Sequence, residues 1–392
     1  MHWYRMGQGE GRFIGRTASF DVYPSVLSPA TPELEEQERN LGPSEMRFNY
    51  GPSTGGLVES VNFSIDSPGE LITGIAVNPY YKRRKLKLSG TKPEDALLLV
   101  ERINGFHCAS NSISFILAVE DALDISVPES VSMRRIIQIE MERIRSNLTV
   151  MERLCSAAGF GVPHNQLAAM REKVSRIIGN AAGHRYMFGT GMIGGIGASF
   201  SGVAEELEPL INEFRSINES LLQSKIFINR LQGNGKASKG NMLGPAARSA
   251  GFRYDARSDS ESLPYSRINF QPIIRHEGDA FGRFMVRAEE IFSSMGLIER
   301  AAELSEGSDA IEPVHPEIRG GTGAARVESP QGDLFVFADI KDYSIRRVEI
   351  MSPGKSNIGA FRRSSVGTIF TDFPFNWESF GIWISEVGVE LE

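Results

Sequence analysis

Cysteine is scarce in this chain: among 392 residues only Cys108 and Cys155 carry a thiol. Two thiols exclude a disulfide framework and favour a reducing, cytoplasmic setting. They also cannot supply a metal site built from four cysteines. Histidine is nearly as sparse. The six histidines, His2, His107, His164, His184, His276 and His315, include no pair at the i, i+4 spacing of a helical zinc site. Basic charge is in deficit, with 42 Lys+Arg against 49 Asp+Glu and a net charge of −7. That balance argues against nucleic acid as a partner, because phosphate binding needs a net basic face. Long apolar runs are missing too. The one extended uncharged stretch, Tyr186 to Ala204, covers 19 residues but spends six of them on glycine. A membrane span needs ~20 predominantly apolar residues, so this stretch reads as a glycine-rich buried loop and no transmembrane helix is expected. The opening MHWYRMGQGEGRF lacks the apolar core of a secretory signal.

What is present is enough to build a core. The chain is 41% hydrophobic and 23% charged, with length for one large domain or two to three smaller ones. Residues 1–45 mix Gly, Pro, Ser and charge and read as an irregular N-terminal arm. GLVESVNFSI and GELITGIAV, joined by a turn at Ser67-Pro68-Gly69, predict a β-hairpin within Phe48 to Val77. Residues 91–125 take up helical period, with a cap, an early Pro93 and acidic first-turn residues Glu94 and Asp95. Pro128-Glu129-Ser130 opens a second helix through about Ala158, its apolar stripe carried by Ile136, Ile137, Ile144, Leu148 and Met151, with charge on the other face. Further helices are expected at 165–181, 203–231, 238–250 and 278–305. Strands return at Ala325–Val327, Leu334–Ile340 and Ile345–Ile350. No linker divides 46–392, which reads as one large domain.

Individual motifs are weak when taken alone. Gly189-Thr190-Gly191-Met192-Ile193-Gly194 matches the dinucleotide fingerprint G-x-G-x-x-G, but the residues before it are helical and no βαβ alternation surrounds it. It reads as a structural loop. Gly51-Pro52-Ser53-Thr54-Gly55-Gly56 lacks the lysine of a P-loop. Asp279 and Arg283 stand four apart on a helix with Arg287 a turn on, a spacing that favours a surface ion pair over a buried charge network.

Taken in order, the segments resemble one family: the large subunits of energy-converting [NiFe]-hydrogenases and the homologous D subunit of respiratory complex I. Gly51-Pro52 with Glu59 resembles its first G-P motif. Leu99-Val100-Glu101-Arg102-Ile103 with Gly105, then Ala118-Val119-Glu120, resembles L-V-E-R-[IV]-C-G-x-C…A-V-E. Val127-Pro128, Arg134 and Glu142-Arg143-Ile144 resemble the next helix. Gly244-Pro245, Arg248-Ser249, Gly251 and Tyr254-Asp255-Ala256-Arg257 resemble G-P-x-x-R-x-S-G…Y-D-x-R. Glu277-Gly278-Asp279 with Arg283 resembles E-G-D-x-x-x-R, and Glu328–Asp333 resembles the E-A-P-R-G-E hairpin. The likeness runs over roughly 46–392. It implies a mainly α, α+β fold: a large helical core of the hydrogenase large-subunit type with short N- and C-terminal β-hairpins.

The departures from the family pattern lie where its chemistry does. The family's hydrogenases hold nickel and iron with two C-x-x-C pairs, because soft thiolates suit those metals. Here the first pair is Asn104 and His107, with Cys108 one place beyond, and the last pair is Trp383 and Glu386. The resemblance therefore carries over neither nickel nor hydrogen chemistry, and no cofactor or metal is expected on this chain. In the complex I members the same region helps bind a quinone headgroup through a histidine and a tyrosine, which appear here as Thr54 and Gly105. What the resemblance then implies is a complex I-related subunit of a membrane-associated oxidoreductase. Its partners would be an iron–sulfur small subunit, carrying the cluster, and membrane-arm subunits that hold it on the cytoplasmic face. If the cavity is catalytic, His107 is the candidate proton donor and Glu386 the relay, with Thr54, Asn104, Gly105 and Trp383 lining it. A non-catalytic structural subunit and a quinone-reducing subunit with a remodelled headgroup site are the alternatives.

Overall fold

The computed structural model describes residues 4–30, 40–53, 59–237, 240–260, 262–305 and 320–392. Four short strands, β1 (Arg5–Met6), β2 (Gly15–Arg16), β3 (Phe20–Tyr23) and β4 (Val26–Pro29), form a sheet in the order β1-β4-β3-β2. An irregular arm was the expectation for these residues. Two- and four-residue strands are too short to show alternation, and what holds them is long-range. Tyr4, Ile14, Val22 and Leu27 are buried against Leu243, Phe335 and Met351 from far along the chain. β5 (Met46–Tyr50), β6 (Asn62–Ser67) and β7 (Gly74–Asn78) make a three-stranded antiparallel sheet, one strand more than the predicted hairpin. β8 (Arg84–Leu86) follows.

The helical core then begins. α1 (Pro93–Val100) and α2 (Cys108–Leu123) are separated by an irregular link ending in a single 3-10 turn, Gly105–His107. α3 (Glu129–Ala157) is the central helix, packed against α2 and α4 (Gly161–Ala182). Its charges do not face water as the periodicity suggested. Glu140, Glu142, Arg143 and Arg145 are as buried as Ile136 and Ile144. A helix buried all round can carry charge only where each charge finds partners, and those partners are described below. The glycine-rich stretch folds as a two-residue ladder, β9 (Gly191–Met192) with β10 (Gly195–Ile196). Its amides are already taken: Gly189 N–H donates to Glu101 at 2.9 Å and Gly194 N–H to Glu120 at 2.7 Å. Internal carboxylates occupy the donors a pyrophosphate would need, as expected of a structural loop.

The predicted 203–231 helix is two, α5 (Val203–Gln223) and α6 (Lys225–Leu231), because Ser224 is extended and accepts a cap from Phe227 N–H. The 238–250 expectation shortens to α7 (Gly244–Ser249), and residues 238–239 lie outside the described ones. α8 (Ala280–Ser305) packs along α3. β11 (Gly321–Ser329), β12 (Gly332–Lys341) and β13 (Ser344–Met351) form an antiparallel meander. α2 lies directly on its first strand: a Cβ at Gly323 would stand 2.3 Å from Ala118 O and 2.4 Å from Ala122 N. Only glycine permits that approach. α9 (Pro353–Ser365), α10 (Phe373–Phe380) and α11 (Ile384–Val387) lead to β14 (Val389–Leu391), which pairs in parallel with β8. The result is a mainly α, α+β molecule with small sheets before and after the helical core, as expected. Among the described residues no helix is long and apolar enough to cross a membrane.

Candidate functional site

Two segments from opposite ends of the chain are brought together by local devices on each. On one side, Asn104 Oδ1 accepts from Phe106 N–H at 3.0 Å and starts the 3-10 turn that presents His107. α2 begins immediately after, and Glu142 of α3 meets its first turn, accepting from Ala109 N–H at 2.7 Å, Ser110 N–H at 3.1 Å and the Ser110 hydroxyl. A carboxylate there satisfies orphan donors and complements the helix dipole. Burial raises the Glu142 carboxyl above its ordinary range although His107 and Arg145 pull the other way. On the other side, Glu59 accepts from Ile384 N–H at 2.6 Å and Ser385 N–H at 2.9 Å, so it caps α11. Arg84 clamps the two segments, donating to Arg102 O at 2.8 Å, Ser385 O at 2.9 Å and Ile103 O.

The clamp sets Glu386 against His107. Glu386 Oε1 is in direct contact with His107 Nδ1 and accepts from Asn104 Nδ2 at 2.9 Å. All three side chains are buried. Trp383 completes the group: its ring stacks on Phe106 at 4.6 Å, meets the His107 ring edge-on at 5.8 Å and carries the Arg153 guanidinium 4.2 Å from its centroid. Four positions named separately from the sequence, Asn104, His107, Trp383 and Glu386, thus meet at one place. Gly105 contributes backbone only, and a Cβ there would stand 3.4 Å from the Phe188 ring. Thr54 lies outside the described residues.

Behind the pair the hydrogen bonds continue into the core. His107 Nε2 lies 3.1 Å from Ser146 Oγ, which accepts from Gln331 Nε2 at 3.3 Å. Arg287 donates to Gln331 Oε1 at 2.7 Å and to Asn147 Oδ1 at 3.0 Å, and Asn147 Nδ2 donates to Glu290 at 3.2 Å. Glu290 belongs to a fully buried ion network. Arg248 binds Glu290 at 2.6 Å, Glu328 at 2.6 Å and Asp255 at 2.9 Å, while Arg257 binds Asp255 at 2.8 Å and Glu140 at 3.4 Å. Arg143 adds a third guanidinium, 3.0 Å from Glu140. Four carboxylates thus face three guanidiniums. Burial and the neighbouring Asp255 charge push the Glu328 carboxyl up to about 7. Glu140 is held below its ordinary range: burial opposes this, and Arg143 and Arg257 overcome it.

The Asp279–Arg283 surface pair does not form. Asp279 instead accepts from Gly282 N–H at 2.8 Å and Gly233 N–H at 2.7 Å, capping the start of α8. Arg283 is buried on neutral acceptors, Ser379 Oγ at 2.8 Å, Asn376 Oδ1 at 2.9 Å and Gly235 O at 3.0 Å. The periodicity placed both residues on one face correctly, but that face is covered by α10.

In front of Trp383 a cavity of about 560 Å³ opens between α3, α4 and α10. Its wall is aromatic, with Phe106, Trp377 and Trp383, and Arg153 and Glu378 carry charge into it. Arg153 lies 3.7 Å from Glu378, whose carboxyl burial raises despite that cation.

Comparison with known proteins accounts for this arrangement. Residues 159–319 match the family model described as respiratory-chain NADH dehydrogenase, 49 Kd subunit. The first of two D subunits of the NADH-quinone oxidoreductase of Sorangium cellulosum is 29% identical over 74% of this chain and 75% of its own length. The corresponding D subunit of Prosthecochloris aestuarii is 25% identical over 89% of this chain and 94% of its own. The carbon monoxide-induced hydrogenase of Rhodospirillum rubrum is 25% identical over 83% of this chain and 94% of its own. The chain belongs to the family of complex I D subunits and hydrogenase large subunits. A subunit of the solved membrane-bound sulfane sulfur reductase, an archaeal respiratory membrane complex, shares the family fold with a TM-score of 0.81. It is 21% identical, over 88% of this chain and 98% of the other.

Within this family the donor set at 104, 107, 383 and 386 does not fit a nickel–iron centre. The Asn104 amide nitrogen is committed to Glu386 and an indole is no ligand. The thiols offer no substitute. Cys108 points into the core, where burial and then Glu101 and Glu142 push it far above the ordinary thiol range, and burial pushes Cys155 up to about 12. Among the described residues no group of three or more His, Cys, Asp or Glu is placed to hold a metal. Sequence reading missed four members of the site. Ser146, Glu142, Gln331 and Arg153 carry no motif of their own, although Glu142 and Gln331 stand inside segments that resemble the family.

Proposed function

We propose that this chain is the hydrogenase-like subunit of a complex I-related, membrane-associated oxidoreductase, without a nickel–iron centre, in which the His107–Glu386 pair holds and passes a proton. The observation that carries the reading is the direct His107–Glu386 contact, formed by two positions where the family places metal thiolates. Imidazole and carboxylate in contact exchange a proton between Nδ1 and Oε1 with little motion. Burial excludes water from that exchange, and Asn104 steadies the carboxylate in its charged form. Family membership supports an iron–sulfur small subunit and membrane-arm subunits as partners, with the chain peripheral on the cytoplasmic face. The iron–sulfur cluster would then belong to the partner.

The cavity beside Trp383 favours a second element, an acceptor such as a quinone received by this chain. A flat ring fits its aromatic wall, and Arg153 would meet a developing oxyanion. The test uses the intact complex isolated through a tag on this chain, with reduced methyl viologen as donor and decylubiquinone as acceptor. His107→Ala and Glu386→Gln should each lower turnover at least tenfold with every subunit retained. Unchanged turnover in both variants would leave the chain a structural subunit.

A further inference from the structure

We infer that Gln331, held by Arg287, is a positioning residue that fixes the His107 ring in the tautomer aiming its proton at Glu386. The inference rests on the reading of the pair as a proton-exchanging group. Gln331 stands at the tip of the β11–β12 hairpin, in the two-residue connection between Ser329 and Gly332, and is buried.

A side-chain amide has two orientations, and here its neighbour decides between them. A guanidinium only donates, so the group 2.7 Å from Arg287 Nη2 must be the Gln331 carbonyl oxygen. Arg287 cannot turn away. Its other donors are spent on Asn147 Oδ1 at 3.0 Å, Phe380 O at 2.9 Å, Pro330 O at 3.4 Å and Ser379 O at 3.4 Å. These contacts tie α3, the hairpin and α10 to one planar group. With its oxygen so held, Gln331 presents the NH2 to Ser146 Oγ at 3.3 Å and donates.

Ser146 Oγ then has one lone pair occupied, and its own proton is left for His107 Nε2 at 3.1 Å. A ring nitrogen that accepts there is unprotonated, so the proton of the neutral ring sits on Nδ1, facing Glu386 Oε1. Every bond in the series Arg287, Gln331, Ser146, His107, Glu386 thereby runs in one direction. None of the first three moves a proton, because amide and guanidinium groups keep theirs. They set where the ring carries its own.

The substitution Gln331→Glu reverses the series at one point. A carboxylate still accepts from Arg287 but cannot donate to Ser146, so it draws the serine hydroxyl proton and leaves Oγ to accept from an Nε2–H. The probe is the intact complex carrying this chain with [15N]histidine, examined by solid-state NMR at neutral pH. His107 is assigned by the signal lost in His107→Gln. The expected signature is a protonated Nδ1 and an unprotonated, hydrogen-bonded Nε2 in the native chain. Gln331→Glu should convert it to a protonated Nε2 and lower kcat about tenfold with the decylubiquinone KM unchanged. Gln331→Met, which gives up both contacts at similar volume, should yield a mixture of the two tautomers. A native ring protonated on Nε2, or a His107 spectrum unaltered by Gln331→Glu, would overturn the inference. Failure of His107→Ala to alter turnover would overturn the function reading alone, since the nitrogen signature does not depend on turnover.

Discussion

At the scale of single residues, the chemistry of this chain lies in buried groups with specified partners. Glu328 offers a direct check, because its proton is held by the surroundings and not by its own nature. The folded carboxyl keeps its proton to about pH 7, whereas an ordinary glutamate gives it up near 4.5. Between those values the unfolded chain binds fewer protons than the folded one, so stability falls as pH rises through the window. At about 1.4 kcal/mol per unit, the loss should reach ~3 kcal/mol. Glu328→Gln should remove that component and flatten urea-unfolding stability between pH 5 and pH 7; an unflattened curve would refute the assignment. None of this was legible in the sequence. Glu328 read as one letter of a hairpin motif, and the pairing that burdens it with Asp255 and Arg248 joins three distant segments. His107 and Glu386 were legible, but only through the family pattern, since neither lies in a local motif.

At the scale of elements, periodicity located most helices and lost their ends. α3, α4 and α8 were found from apolar spacing, and the C-terminal meander from its turns. The failures have physical causes. Ser224 splits a long helical pattern with a cap, and the α3 charges are buried because partners on α7, α8 and the hairpin satisfy them. The N-terminal strands are too short to alternate, and only Leu243, Phe335 and Met351 give them a core to cover. The start of α2 depends on one contact from another helix. Glu142 receives two backbone N–H groups and the Ser110 hydroxyl there. Glu142→Gln, which keeps one acceptor and turns an NH2 toward the remaining donors, should cost about 1–2 kcal/mol in urea unfolding. A change under a few tenths would mean that α2 needs no such cap.

At the scale of the whole molecule, the fold keeps the family architecture while the residues at its metal positions have changed in kind. The clamp from Arg84, the cap from Glu59 and the β8–β14 ladder still bring the two ends of the site together. What they bring together is an amide, an imidazole, an indole and a carboxylate that bond to or pack against one another. The scarcity of cysteine, at first only a statement about disulfides, becomes a statement about the site: a cluster satisfied by its own members has no need of a metal to balance it. The most direct test is elemental analysis of the intact complex, isolated through this chain without chelators. Nickel well below one atom per ten chains is the predicted result; one nickel per chain would contradict the account.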